Sequence, residues 1–424
     1  MDRSNGQPLA RIGQGVSSPL RRGWLKAFSS LRNQNYRWFW LGILGSFNAM
    51  QMQTVAQGWL VYEMTDSPLA LGIVSAAWGL PVLLFSLFGG VIVDRMEKRN
   101  LLIITQSSIF LTNLTVAFLI TIQAVALWHL VAASLLSGII FAFNMPGRQA
   151  FMVDLVGEQD LFNAIALNST AMNVCRIASP ALAGVLVGFV GTAGVYWIIV
   201  ASHAWAIITL LMIPLSGAVV LKPNVSLRDD LKEGLHFVRE NSIIVALMAV
   251  AFVPILVAMP YQMLMPVFAR DVLQSGSTGL GLLMSAVGTG ALIGSLVIAS
   301  LGNFQGKGKM LLMTGILFGV ALILFSVSKS MFLALLFLIF VGAGSSSFMT
   351  ANNTLLMTNT PKELVGRVMS IYMITWGLMP LGTLPAGAVA NVFGAPLTVV
   401  AGGAILTLFL LAVAVAKPRI RQLA

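Results

Sequence analysis

Residues 91–100 read VIVDRMEKRN, and five of the six residues from Asp94 to Arg99 are charged. The surroundings are strongly apolar: Leu69 to Val93 carry no charge, and the chain turns apolar again at Leu101. Of all 424 residues, 58% are hydrophobic and only 9% are charged. A soluble domain carries about 25% charged residues. So few charges cannot cover a globular surface, so lipid must be the solvent for most of this chain. The cluster is then a connection between two membrane spans, and the fold follows from how many such connections there are.

Twelve apolar runs are long enough to span a hydrocarbon core, at about 38–62, 69–93, 101–122, 125–145, 164–190, 195–220, 243–268, 280–301, 310–327, 332–357, 368–392 and 395–416. A helical crossing takes roughly 20 residues, whereas membrane β-barrels show alternating segments of about 10. The expectation is an all-α membrane protein of twelve transmembrane helices. Arg176, in the fifth run, is the only Asp, Glu, Lys or Arg inside any of them.

The net charge of +11 first suggests nucleic acid, but its distribution says otherwise. Counting connections alternately, 22 of the 25 basic residues fall on one side, among them Arg148, and only Arg270 and Lys329 on the other. Basic residues mark cytoplasmic connections. The charge is thus a topology signal, with both termini cytoplasmic and no nucleic-acid partner. One cysteine, Cys175, excludes an internal disulfide framework, and three scattered histidines show no ligand spacing. No metal or cofactor is implied.

The first apolar run is too long for a signal peptide and lacks a small-residue cleavage pattern. Before it, LRRGWLKAFSSLR places Leu20, Trp24, Phe28 and Leu31 at helical spacing between basic residues. An interfacial helix on anionic lipid and a disordered basic tail both fit. In the longest internal connection, 221–242, Leu227, Leu231, Leu235 and Val238 share one helical face and Ser226 can cap its start. This amphipathic connection sits near mid-chain and suggests two halves. An internal repeat supports them. At an offset of 209, Gly72 falls on Gly281, Gly79 on Gly288, Lys98 on Lys307, Gln53 on Gln262, Asn144 on Asn353, and DLVG (154–157) on ELVG (363–366). The expected organisation is a basic tail (1–37), a six-helix bundle (38–220), an amphipathic linker (221–242), a second six-helix bundle (243–416) and a short tail (417–424).

Twelve spans, a 6+6 repeat, an amphipathic centre and a charged connection after the second span together resemble the major facilitator superfamily. Its signature there is Gly-x-Leu-Ala-Asp-Arg-x-Gly-Arg-Lys. Gly90, Ile92, Val93, Asp94, Arg95, Lys98 and Arg99 fit it or substitute conservatively, while Glu97 stands where the family has glycine. Over about 32–416 the chain is similar to the exporter branch that includes enterobactin exporters and macrolide-efflux proteins. The carrying stretches are NYRWFWLG (35–42), GWLVYEMTDSPLALG (58–72), EGLHFVREN (233–241), PKELVGRVMSIY (361–372) and PLGTLPAGAVANVFG (380–394).

The resemblance implies a secondary transporter working by alternating access, with the first, fourth, seventh and tenth spans around a central cavity. Uncharged polar residues stand on those spans: Gln53, Thr54 and Gln57 on the first, Tyr261 and Gln262 on the seventh, Asn352 and Asn353 on the tenth. Amides in hydrocarbon are costly unless partnered or wetted. With Met50, Met259, Met263 and Met265 they would suit a bulky, amphiphilic, siderophore- or drug-like solute. Hydrogen bonding between helices is the alternative use for each. The resemblance further implies proton-driven export across the cytoplasmic (inner) membrane, with the bilayer, the solute and protons as partners, and a monomer is expected.

It also implies a cytoplasmic gate at Gly90, Asp94, Arg95, Arg99 and Asp154. Asp94 would face the start of the eleventh span, and Arg95 would pair with Asp154. In the fifth span, CRIASPALAG (175–184) resembles an exporter packing motif through Pro180 and Gly184, although Ser179 and Ala183 replace its usual glycines. The drug-exporter arginine of the fourth span is absent, with Ser134 near its place. Arg176, inside the membrane, is a candidate functional charge or a structural pairing. His203, alone on an apolar helix, reads as a packing residue.

Other classes weigh less. A channel usually needs rings of like groups, and an enzyme needs an acid, base or nucleophile constellation that is not present in the sequence. A facilitative carrier or importer of a small solute, and a non-transporting receptor, stay open.

Overall fold

The computed structural model describes residues 29–215, 227–302 and 305–423; within these, the side chains of 87–92, 94, 159, 227–232, 234 and 376 lie outside the description. The described residues form helices and no strand. Leu20, Trp24 and Phe28 of the basic tail, and Ser226 before the linker, fall outside them.

Asn33 starts the first helix, Gln34–Thr65, by accepting from the backbone N–H of Asn35 and Tyr36. That helix closes on Asp66 in the left-handed region at φ 47°, which a short polar side chain tolerates. The second helix is Pro68–Arg95 and the third Lys98–Thr121. Between them Glu97 takes φ −60° and accepts from Asn100 Nδ2 at 2.7 Å. The turn needs no left-handed residue there, so glutamate replaces the family's glycine without strain.

From Leu127 to Leu211 the helix is broken only where Gly157 and Gly191 take φ of 66° and 69°. Glycine adopts these values readily, so the two positions divide the run into fourth, fifth and sixth spans. The fourth span does not stop near 145: its helix runs Leu127–Glu158 with Pro146 inside. A proline removes one backbone donor and bends a helix without having to end it. Arg148 therefore stands in a helix, not in a connection.

The linker forms the helix Leu227–Glu240, where Val238 is buried and Leu235 exposed. Glu233 Oε1 pairs with Arg367 Nη1 at 2.7 Å, tying it to the start of the eleventh span. The seventh span is discontinuous, Ser242–Val257 and then Tyr261–Val267, with Pro254 and Pro260 flanking the break. The eighth is Gly276–Leu301, the ninth Lys307–Val327 and the tenth Met331–Thr358. The eleventh comes in two pieces, Val365–Gly377 and Pro380–Phe393, and the twelfth is Ala395–Ala416. A last turn, Pro418–Arg421, buries Ile420, and the Leu423 carbonyl accepts from Gly308 N–H at 3.2 Å.

Among the described residues, ten stretches are long and apolar enough to cross a membrane. One of them, Asp160–Leu211, is 52 residues long and contains the Gly191 break, so it holds two crossings. Gln34–Thr65, 32 residues diluted by amides, is a further helix of crossing length. The arrangement is consistent with twelve crossings. Phe162 and Phe189 stand 86% and 82% exposed, a surface built for hydrocarbon.

The second helix packs on the eleventh and the fifth on the eighth. At the 209 offset these two contacts are copies of each other. Both rest on backbone approach. A Cβ on Gly281 would lie 2.4 Å from the Pro180 carbonyl, and one on Gly72 would lie 2.9 Å from the Thr383 carbonyl. Small residues permit such contacts, and Pro180 and Gly184 sit at the fifth–eighth crossing, against Gly281.

Candidate functional site

The described ends of the chain, Ser29 before the first span and Leu423 after the twelfth, mark one face of the bundle, the termini side, and the opposite face is sealed by polar contacts between the first six spans and the last six. Tyr62 Oη donates to Asp271 Oδ2. Arg270 Nη1 pairs with Asp66 Oδ1 at 2.6 Å and donates to the Tyr62 carbonyl at 3.2 Å, its guanidinium lying 5.4 Å from the Tyr62 ring centre. Beside them Ser67 Oγ donates to Asn391 Oδ1 at 3.1 Å. On the termini side of this seal lies a cavity of about 640 Å³.

Gln53, Thr54, Gln57, Gln262 and Asn353 line that cavity. Tyr261 and Asn352 do not. Tyr261 is 2% exposed with its ring against Phe318, and Asn352 is 1% exposed among the last six helices. The break before Tyr261 turns Gln262 to the cavity and its neighbour away. Ser134, where the arginine of drug exporters would stand, accepts from Gln57 Nε2 at 2.8 Å. An amide–hydroxyl bond between the first and fourth spans thus occupies that place. Of the expected methionines, Met50, Met259 and Met263 reach the wall while Met265 is buried.

Gln106, Asn144, Arg148 and His203 were not expected there and form one network on the wall. Arg148 Nε donates to Asn144 Oδ1 at 2.7 Å and Nη2 donates to Gln106 Oε1 at 3.2 Å. Gln106 Nε2 meets His203 Nδ1 at 2.7 Å, and Asn144 Nδ2 donates to Thr105 Oγ1 at 2.7 Å. The donor directions are forced. Arginine only donates, so the Gln106 oxygen must face it; the Gln106 nitrogen then faces His203, whose Nδ1 must accept. His203 is 4% exposed, as a packing residue would be, and it reaches the cavity wall through its bond to Gln106. The available sequence signal was Asn144 and Arg148 four apart on one face; nothing in the sequence links His203 to Gln106, 97 residues away.

Arg176 also lines the cavity, with an exposed side chain that makes no hydrogen bond or ion pair among the described residues. Its backbone is pinned at the fifth–eighth crossing, where a Cβ on Gly288 would lie 2.7 Å from its carbonyl. At the expected gate, Gly90 and the Asp94 side chain lie outside the description. Asp154 pairs with Lys98 at 2.6 Å rather than with Arg95, whose side chain is exposed. Lys98 opens the third helix facing the fourth, whereas Arg95 ends the second helix and points to solvent. Arg99 donates to the Leu210 and Leu211 carbonyls at 3.2 and 3.1 Å, satisfying the C-terminal end of the sixth span.

The family model described as "Transmembrane secretion effector" matches residues 25–423, and the chain belongs to that family of the major facilitator superfamily, within its efflux branch. Its members are transporters rather than enzymes. The chain is 28% identical to the staphyloferrin A transporter of Staphylococcus aureus, over 80% of this chain and 85% of that one. It is 26% identical to the multidrug efflux pump Tap of Mycolicibacterium fortuitum, over 87% and 92%. It is 24% identical to the enterobactin exporter EntS of Escherichia coli O1:K1, over 83% and 84%. Among solved structures, a point mutant of the nucleoside transporter NupG superposes with a TM-score of 0.75 at 12% identity, covering 89% of this chain and 99% of that one. A bacterial homologue of the lysosomal transporter Spinster, inward-facing and unoccupied, gives 0.68 at 14%, covering 92% and 97%. These two likenesses carry the fold.

Proposed function

We propose that this membrane transporter exports a bulky, amphiphilic organic solute by alternating access, driven by protons, with both termini in the cytoplasm of a cell bounded by this inner membrane. One observation carries the reading: a cavity of about 640 Å³, walled by amides, methionines and aromatic rings, lies on the termini side of a polar seal. A cavity closed toward one face is one of the two states that alternating access requires. Cavities of drug-sized ligands fall in the same volume range, about 300–1,000 Å³. The relatives are named for staphyloferrin A, enterobactin and multidrug efflux, which supports a siderophore- or drug-like solute.

In this reading the six-helix bundles at 38–220 and 243–416 rock as a monomer, with the linker under them. Gly90, Asp94, Arg95 and Arg99, with the Lys98–Asp154 pair, form the gate that closes the termini side when the far seal opens.

The test is accumulation of a fluorescent drug or siderophore in everted vesicles carrying the protein. Uptake should stop when a protonophore collapses both the pH gradient and the membrane potential. Uptake that survives full collapse rejects proton drive, and equal uptake by vesicles lacking the protein rejects export.

A further inference from the structure

The cavity carries charge of one sign. Arg148 and Arg176 line it, and no aspartate or glutamate does among the described residues. We infer that the solute bears an anionic group, a carboxylate or a similar oxyanion, that seats on Arg148 with Arg176 as the second cation. This rests on the cavity being the solute's passage.

Arg148 is built as a binding group. Its partners are the amide oxygens of Asn144 and Gln106 and, at 5.7 Å, the ring of Phe47. All three are neutral, so they aim the guanidinium without cancelling its charge. Asn144 is held in turn by Thr105, and Gln106 by His203. Two of the five guanidinium N–H donors are used this way, which leaves three for an oxyanion in the planar fork that suits it. Arg176 holds its charge exposed to the same space with no ion pair among the described residues. Two cations facing one cavity repel each other and any cationic solute, and an anionic solute supplies the counter-charge that the lining does not. Phe47 and the methionine wall take the solute's apolar body.

The experiment uses the purified full chain in lipid nanodiscs and three probes that share one fluorophore: dansylglycine (anionic), dansylamide (neutral) and dansylcadaverine (cationic). Dansylglycine should bind tightest, by roughly tenfold to a hundredfold over dansylamide, the worth of charge-assisted hydrogen bonds. Arg148→Gln and Arg176→Gln should each shrink that ratio toward one, and Arg148→Lys should keep part of it. Arg176→Gln keeps the test decisive if Arg148→Gln fails to fold, since Arg176 makes no side-chain bond among the described residues. The inference falls if dansylcadaverine binds as tightly as dansylglycine, if both glutamine variants keep the full preference, or if no probe binds. Flux in proteoliposomes separates it from the export reading: charge-selective binding without flux sinks export and leaves the anion site, while flux without charge preference does the reverse.

Discussion

Tyr62 and Asp271 stand 209 residues apart, the offset of the internal repeat, and they hydrogen-bond to each other on the face opposite the termini. Equivalent positions of the two copies thus meet where the copies touch, and the seal sits where the pseudo-symmetry brings them together. Tyrosine on one side and aspartate on the other make that contact a donor–acceptor pair instead of a clash of like groups.

Tyr62→Phe should loosen the seal. A hydrogen bond to a charged acceptor contributes about 2 kcal/mol, roughly thirtyfold in the ratio of closed to open forms. Spin labels on cysteines at the exposed Glu63 and Val392, in a Cys175→Ser background, should report longer distances in the variant. Asp66→Asn should do less, because Arg270 and Asp66 are 38% and 73% exposed and such pairs are worth at most about 1 kcal/mol. Unchanged distances in Tyr62→Phe would show that the bond does not hold the face closed.

Gly281→Ala and Gly188→Ala are a matched pair at one helix crossing. The new methyl at 281 would press on the Pro180 carbonyl at 2.4 Å, while that at 188 has its nearest neighbour at 3.8 Å. Overpacking against backbone costs about 1–3 kcal/mol. Gly281→Ala should lower the melting temperature in detergent and abolish transport. Gly188→Ala should be neutral or slightly stabilising, since alanine is the better helix former by about 1 kcal/mol. Equal melting temperatures for the two would contradict close packing at Gly281.

Lys98 and Asp154, 8% and 23% exposed, form a mostly buried pair. Removing one partner strands the other charge, at a cost of about 3 kcal/mol or more. Lys98→Met should therefore destabilise more than the double change Lys98→Met with Asp154→Leu. The melting temperatures of the four proteins of this cycle give the coupling, and additive effects would mean the pair contributes nothing.

His203→Gln can still accept from Gln106 through its amide oxygen, whereas His203→Ala cannot. Solute binding should persist in His203→Gln and weaken in His203→Ala, because Gln106 is one of the two amide side chains that aim Arg148. Equal binding by the two variants would show that the His203–Gln106 bond does not position Arg148.

Most of the apolar runs that became spans, the internal repeat and the helical linker were legible in the amino-acid order, because burial in lipid demands long apolar runs and the charges between them are local features of the chain; the continuation of the fourth helix through Pro146 to Glu158 was not, because a proline and an arginine look locally like a connection. Gln53, Thr54, Gln57, Gln262 and Asn353 were legible as cavity residues because polar groups in such runs stand out. The partner of Asp154, the place of Arg148 and His203 on the cavity wall, and the turning away of Tyr261 and Asn352 were not. A helix packed in lipid is apolar on nearly every side, so its sequence carries little sign of which face looks inward. That rotation is set by packing, through contacts such as Gly281 on Pro180 and breaks such as the one before Tyr261, and these exist only once the helices have assembled.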